Sequence, residues 1–438
     1  MQAIEVDSKI NHSQVIGRVF ALSVDSKALI PRGELVERAR KVVHEVIAPR
    51  AAHCDQSGEF PAEGIAALQS AGLMGLLVPA QYGGLEADHG TYSQIAQLIA
   101  GACPSTGMLF VMHHTYVVPI VDHGSERQKQ FFLPPIARGE RLVTSATTEP
   151  QGGGGAHSMF ALQRAGEELI IDAIKPCVSG ANHADWIAVL IRPSADCPGD
   201  VKTLVLAPGV RSGAVKPFGE WNTIGMRATS SSGLRFEGCR VPAWYELGSG
   251  TYTGFSSGMP TLILGYSSVW LGLANAAYEV AVAHVTRREH QQIVADRRHR
   301  GDAAPGPEAG APTTTVKSTV ASIESVQRQV SELRAGLDAA HALVDALARA
   351  IDRHRPPTGA PFSEAAQAEL RSLCASTRLV TGDTAIDTCR TAMRICGLRA
   401  LQRGFPLERL MRDALTSQPM APSEDACKVD HGRRLLGV

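Results

Sequence analysis

The side chains in this sequence that could do chemistry are few and widely spaced. The histidines His113, His114 and His157 could each give or take a proton beside a bound ligand, although a lone histidine is as readily structural. The segment Met420-Ala421-Pro422-Ser423-Glu424 pairs a thioether with a carboxylate. A thioether cannot accept a proton at neutral pH, so only Glu424 could act there as a base. A plainer role for Glu424 is to open the last helix, where a carboxylate complements the helix dipole. Arg287, at the end of a helical stretch, carries a guanidinium suited to bidentate pairing with phosphate. Thr147-Thr148-Glu149-Pro150 reads by itself as a turn ending a strand. The run Gly152-Gly153-Gly154-Gly155 behind it removes side-chain contacts, adds backbone freedom and leaves room for a bulky ligand.

The elements that must position these groups follow a simple order. Apolar residues recur at three and four from Gly33 to Val46, predicting an amphipathic helix. Further helices are predicted at Ala62–Ala71, Tyr92–Ala102, Thr106–Val121 and Glu126–Ala137, giving a helical domain over 31–140 behind an arm at 1–30. From Arg141 the texture changes to short β-rich segments separated by Gly- and Pro-bearing turns: Leu142–Ala146, Leu169–Ile174, Trp186–Ile191, Thr203–Ala207 and Gly233–Glu237. They predict a small sheet or barrel domain over 141–246. A C-terminal helical domain fills 247–438, with helices at Leu262–Val285, Thr319–Ile351, Glu364–Gly397 and Pro406–Leu415. The Ala/Pro/Gly/Thr-rich stretch 296–315 reads as a flexible surface loop. The fold class is α+β, helices then strands then helices, without the βα alternation of a doubly wound sheet.

A chain of 438 residues is too long for one ordinary core, in keeping with several domains. Its 43 basic and 43 acidic side chains cancel, which argues against nucleic acid as a main partner. Nine scattered cysteines with no CxxC pair read as reduced thiols. The polar N-terminus has no apolar leader, and no apolar run approaches the roughly 18 residues of a membrane span. A soluble cytoplasmic protein with a small-molecule substrate is the expectation, with no membrane partner.

The layout and a series of ordered motifs resemble the acyl-CoA dehydrogenase superfamily of flavoproteins. The motifs are Gly72-Leu73-Met74-Gly75-Leu76, Val78-Pro79-Ala80-Gln81-Tyr82-Gly83-Gly84, His123–Lys129, Thr147–Pro150, Lys175–Gly180, Asn222–Arg227 and Phe405–Ala414. The resemblance implies FAD as cofactor, with FMN as the alternative. Thr147 and Thr148 would bond the flavin's pyrimidine edge, where fixed donors stabilise the negative charge of the reduced ring. Ser179 would lie near flavin N5, and Trp186 either beside the flavin or in the core. Arg287, Arg394 and Gly397 would meet the cofactor of a neighbouring subunit in a homodimer or homotetramer. Gly153, Gly154, Met420 and Leu262 would line the substrate site.

Departures from the family pattern bear on function. Removal of an α-proton needs a carboxylate within about 3 Å of the reacting carbon. The family's usual glutamate position falls on Met420, and its alternative position, on the long C-terminal helix, falls on Leu262. Leu398 replaces a second glycine after Gly397, and the four glycines replace a CoA-contacting Gly-Ser-Asp. Three readings follow. One is unconventional flavin oxidation or oxygenation in specialised metabolism, supplied with electrons by a flavin reductase. Another is dehydrogenation of a CoA or carrier-protein thioester using Glu424, His157 or a partner subunit as base. The third is a non-catalytic FAD-binding subunit.

Overall fold

The computed structural model describes residues 31–151, 157–247, 258–295, 313–355, 360 and 362–438. The predicted N-terminal arm, Gly153 and Gly154 lie outside the described residues.

Helix α1 (Arg32–Val42) buries Leu35, Val36 and Ala39. The sequence pattern stops near Val46, but the chain stays helical through a π-helical turn (Val43–Ile47) into α2 (Ala48–Ser57), closed by Gly58. Pro49 lies in the first turn of α2, where its missing N–H is tolerated, which is why it does not end the run. Helices α3 (Ala62–Ser70), α4 (His89–Ala102), α5 (Pro104–His123) and α6 (Glu126–Ala137) complete the first helical domain. Asp88 caps α4 by accepting from Thr91 N, and Ser125 with Gln128 forms a reciprocal capping box on α6.

The middle domain contains two four-stranded sheets. One has the order β1 (Val143–Ala146), β4 (Trp186–Ile191), β5 (Thr203–Pro208), β8 (Glu246–Leu247); β1 runs parallel to β4 and the other pairs are antiparallel. The other has the order β2 (Gln163–Ala165), β3 (Glu168–Lys175), β7 (Gly233–Pro242), β6 (Val215–Phe218). Ile171, Val189, Val205, Leu234 and Phe236 belong to their shared core. The short strands β2, β6 and β8 leave little periodicity to read, and the sequence pattern does not reveal them.

Helix α7 (Gly258–Arg287) runs through the centre of the molecule and is buried on all sides over most of its length. It is followed by α8 (Glu324–His354), α9 (Glu364–Cys396), α10 (Pro406–Leu415) and α11 (Glu424–Leu436). Between α7 and α8 the expected loop is corrected in part. Strands β9 (Glu289–Ala295) and β10 (Thr313–Thr319) form an antiparallel hairpin, so Thr313–Thr315 are paired backbone, favoured by β-branched threonines. Residues 296–312 of that loop lie outside the described residues. Among the described residues no helix is long and apolar enough to cross a membrane.

The most recognisable stretch of the sequence acts as a clasp between domains. Arg412 on α10 makes two bonds to the Asp55 carboxylate, at 2.9 and 2.6 Å, and a third to the Ile224 carbonyl at 2.8 Å. The neighbouring Asp413, fully buried, accepts from Met226 N at 2.6 Å. A Cβ on Gly225 would come within 2.1 Å of the Arg412 carbonyl, so only glycine permits this approach. One helical turn thereby joins all three domains.

Candidate functional site

Strand β1 and the turn after β3 bring the hydroxyl-bearing candidates together. Thr144 donates to the Ser179 carbonyl at 2.5 Å, fixing the turn that carries Ser179 against β1. Ser231 donates to Ser179 Oγ at 3.2 Å, and Thr229 Oγ1 lies 2.8 Å from Ser231 Oγ. With its acceptor side occupied, Ser179 keeps its own proton for a group outside. Thr147 and Thr148 lie at the end of β1 and are half-buried. From α5, Tyr116 is paired with the Ser145 and Thr147 hydroxyls, and burial raises its phenol pKa. Hydroxyls at and beside the end of β1 would fit the acceptor edge of a flavin, whose two-electron redox chemistry would serve the reaction when bound. Thr147, Thr148 and Ser179 would hold it.

Glu149 takes a different role. It is buried, accepts from Lys175 Nζ at 2.8 Å and Ser158 Oγ at 2.6 Å, and also from Met159 N and Gln151 Nε2. Its carboxylate is fully used in holding the loop after β1.

The remaining candidates lie on other segments of the chain. Trp186 opens β4, is half-buried and packs among Phe131 and Phe132 of α6, near Trp244 and Tyr245. His157 is exposed beside Gly199 in the connection after β4; its carbonyl accepts from Gln151, and the residues after it, Ser158 and Met159, bond Glu149, so it lies next to the loop that follows β1. His113 is buried as a link: Nε2 donates to the Met74 carbonyl, and Nδ1 accepts from Val143 N at 3.0 Å. Burial lowers its pKa to about 4, so it stays neutral. His114 is enclosed by Tyr92 and Phe110, donates to the Phe110 carbonyl, and is held well below the ordinary histidine range by burial. Neither is placed as an exposed acid or base.

The C-terminal bundle carries Met420, Leu262 and Glu424. Met420 is half-buried against the main apolar cluster, to which the buried Leu262 of α7 also belongs. Glu424 is the first residue of α11, which Ser423 caps, and its carboxylate pairs with Lys428 one turn on. The helix-opening role is therefore the one observed. Behind Met420 lies a group that motif reading missed. Arg378 of α9 is 1% exposed and donates to the carbonyls of Ser417 and Met420. Its Nε and the Ser417 hydroxyl are buried without a hydrogen-bond partner among the described residues. Tyr266 of α7, four residues after Leu262, bonds Met112 Sδ at 3.7 Å. Periodicity marks Tyr266 and Arg378 only as inward-facing, and no local motif distinguishes them from core residues.

Arg287 ends α7 and is exposed. Its neighbour Arg288 reaches the Cys396 carbonyl at 3.4 Å, which brings the end of α7 to the end of α9. There Arg394 is exposed and bonded to Gln329, and Gly397 adopts φ +69° on the surface. Arg287, Arg394 and Gly397 thus share one outer edge, with Leu398 83% and Leu401 65% exposed beside them.

Comparison with known proteins gives consistent matches. Residues 32–140 match the acyl-CoA dehydrogenase N-terminal domain and residues 311–425 the acyl-CoA dehydrogenase C-terminal domain. The chain is 27% identical over 385 residues to probable acyl-CoA dehydrogenase YngJ of Bacillus subtilis, covering 86% of this chain and 90% of that protein. Its fold is similar to butyryl-CoA dehydrogenase from Megasphaera elsdenii, with TM-score 0.79, 19% identity and coverage of 95% and 100% of the two chains. It is equally similar to the FMN-bound dibenzothiophene monooxygenase TdsC of Paenibacillus sp. A11-2, with TM-score 0.78, 22% identity and coverage of 92% and 97%.

Proposed function

The chain belongs to the acyl-CoA dehydrogenase family and is a flavin-dependent oxidoreductase, and within that family we propose that it oxidises or oxygenates a small molecule without α-proton removal by a carboxylate. The observation that carries this reading is the wall at Met420. A thioether occupies the segment expected to hold a base, Leu262 is apolar, and Glu424 is engaged by Lys428 in the first turn of α11. The hydroxyl row of Thr147, Thr148 and Ser179 remains suited to a flavin, which opposes a purely structural subunit.

FAD is the proposed cofactor. Its pyrophosphate would meet Arg287, Arg394 and Gly397 of a neighbouring copy, in a homodimer or homotetramer that covers Leu398 and Leu401. FMN binding would leave that edge without a phosphate to hold. Mass analysis of the nucleotide released from the purified protein separates the two. Electrons for an oxygenation would come from a separate flavin reductase.

The alternative reading is dehydrogenation of a CoA or carrier-protein thioester, favoured by the relatives named as acyl-CoA dehydrogenases. Anaerobic mixing of the flavin-loaded protein with straight-chain acyl-CoAs distinguishes the two. We expect the oxidised flavin band at about 450 nm to persist, and Met420→Glu to increase its bleaching by restoring a carboxylate. Rapid bleaching of the unaltered protein by any acyl-CoA would overturn the proposal in favour of dehydrogenation.

A further inference from the structure

The segments that carry the candidate site residues converge on one phenol. Tyr266 is 5% exposed, and its hydroxyl bonds only a thioether, Met112 Sδ of α5, among its resolved hydrogen bonds. Sulfur is a weak acceptor, so this donor is poorly used. Three other groups lie close enough to act on its charge: Tyr116, which is paired with Thr147; Arg378, which holds the Met420 carbonyl; and Cys177, two residues before Ser179. Tyr266 is therefore within electrostatic reach of groups that bond Thr147 on one side and the Met420 carbonyl on the other. Cys177, Thr147 and Met420 are themselves half-buried.

We infer that Tyr266, backed by Arg378, is a substrate-binding residue that donates a hydrogen bond to an anionic oxygen on an otherwise apolar molecule. The inference deepens the proposed function and rests on its assignment of this junction as the substrate side of the flavin. Burial raises the Tyr266 pKa, which keeps the phenol protonated and makes it a donor rather than a base. Arg378 supplies the positive field. It is nearly inaccessible, its Nε is unpartnered, and the adjacent Ser417 hydroxyl is unpartnered too. Cys427, Glu424 and Asp383 also act on Arg378, and Glu424 is in addition paired with Lys428. Met112, Leu262 and Met420 supply the apolar surround. An incoming oxygen would replace the thioether as acceptor. Charge-assisted bonds are about twice as strong as neutral ones, so an anion gains most. Two positions that resemblance assigns to a carboxylate base are thus overlooked by a donor and a cation, a site that selects anions instead of removing protons.

Phenolates and carboxylates share this chemistry, and the test separates them. Binding of 4-nitrophenolate, 4-nitrobenzoate and nitrobenzene to the flavin-loaded protein is measured by difference absorption and calorimetry, at a pH where both acids are ionised. At least one anion should bind roughly tenfold or more tightly than nitrobenzene, as expected for a hydrogen bond to a charged group. Tyr266→Phe should erase that preference and leave nitrobenzene binding unchanged. Arg378→Lys should retain part of it. The anion that binds more tightly identifies the source. Equal binding of all three by the unaltered protein, binding of none, or an undiminished preference in Tyr266→Phe would overturn the inference. Because no turnover is read, such a failure is distinct from failure of the proposed function, which shows as bleaching by acyl-CoA.

Discussion

Two buried charges in this molecule are handled in opposite ways. In the middle domain, Lys175 and Glu149 are both almost fully buried and bonded at 2.8 Å. Lys175 also donates to the Leu190 carbonyl, and Glu149 takes three further donors. Burial works against ionisation of Glu149, yet the lysine and the hydrogen bonds hold its carboxyl below the usual range. In the C-terminal bundle, Arg378 is equally buried but bonds only backbone carbonyls, and its Nε stays unpartnered. The first arrangement is closed and does architectural duty. The second is open, with unused donor capacity beside Met420 and Tyr266. A buried charge whose bonding is complete has nothing left for a ligand, whereas an incomplete one is a place where a ligand can be stabilised.

The comparison predicts a hierarchy of effects. The largest comes from breaking the closed pair. Lys175→Met strands a buried carboxylate and should destabilise by about 3–5 kcal/mol in urea unfolding; a loss under 1 kcal/mol would mean that Glu149 is not ionised there. Next is Asp413, whose carboxyl is raised to about 7, chiefly by burial. Its folded pKa exceeds its unfolded one, so its contribution is complete below about pH 4 and is lost as pH rises through about 7. Asp413→Asn keeps an oxygen for Met226 N and should flatten the stability profile across that window by on the order of 2 kcal/mol. An unchanged profile would show that other groups set it.

Arg378→Met should cost less than Lys175→Met, about 1–2 kcal/mol, because it leaves carbonyls and not a carboxylate unpaired. A cost equal to that of the Lys175 variant would show that Arg378 has a hidden anionic partner and is closed after all. The smallest effect belongs to Ser231→Ala, which frees the acceptor side of Ser179. Stability should fall by only about 0.5–1.5 kcal/mol, while the visible spectrum of bound flavin shifts. A spectrum identical to that of the unaltered protein would remove Ser179 from the cofactor's surroundings.

Much of the fold was legible because its signals are local. Glu126–Ala137, Trp186–Ile191 and Pro406–Leu415 coincide with their predicted bounds. The continuation into Ala48–Ser57 was hidden by Pro49, and strands β2, β6 and β8 were too short to carry a pattern. The site was legible only in part. Thr147, Thr148 and Ser179 stand out through motifs, and the structure gathers them along β1. Trp186 packs against aromatic residues of α6, and His157 lies exposed beside the loop that Glu149 holds, because a residue's neighbours depend on strands distant in sequence.

The order of helices and strands, the thioether at Met420 and the absence of charge excess follow from the amino acids alone, because periodicity and residue chemistry are read along the chain. That Arg412 and Asp413 clasp three domains, that Lys175 closes on Glu149, and that Tyr266 lies within electrostatic reach of Arg378, which bonds the Met420 carbonyl, are consequences of packing. Each joins residues separated by tens to hundreds of positions, and only burial decides which polar group finds a partner and which is left with donor capacity to spare.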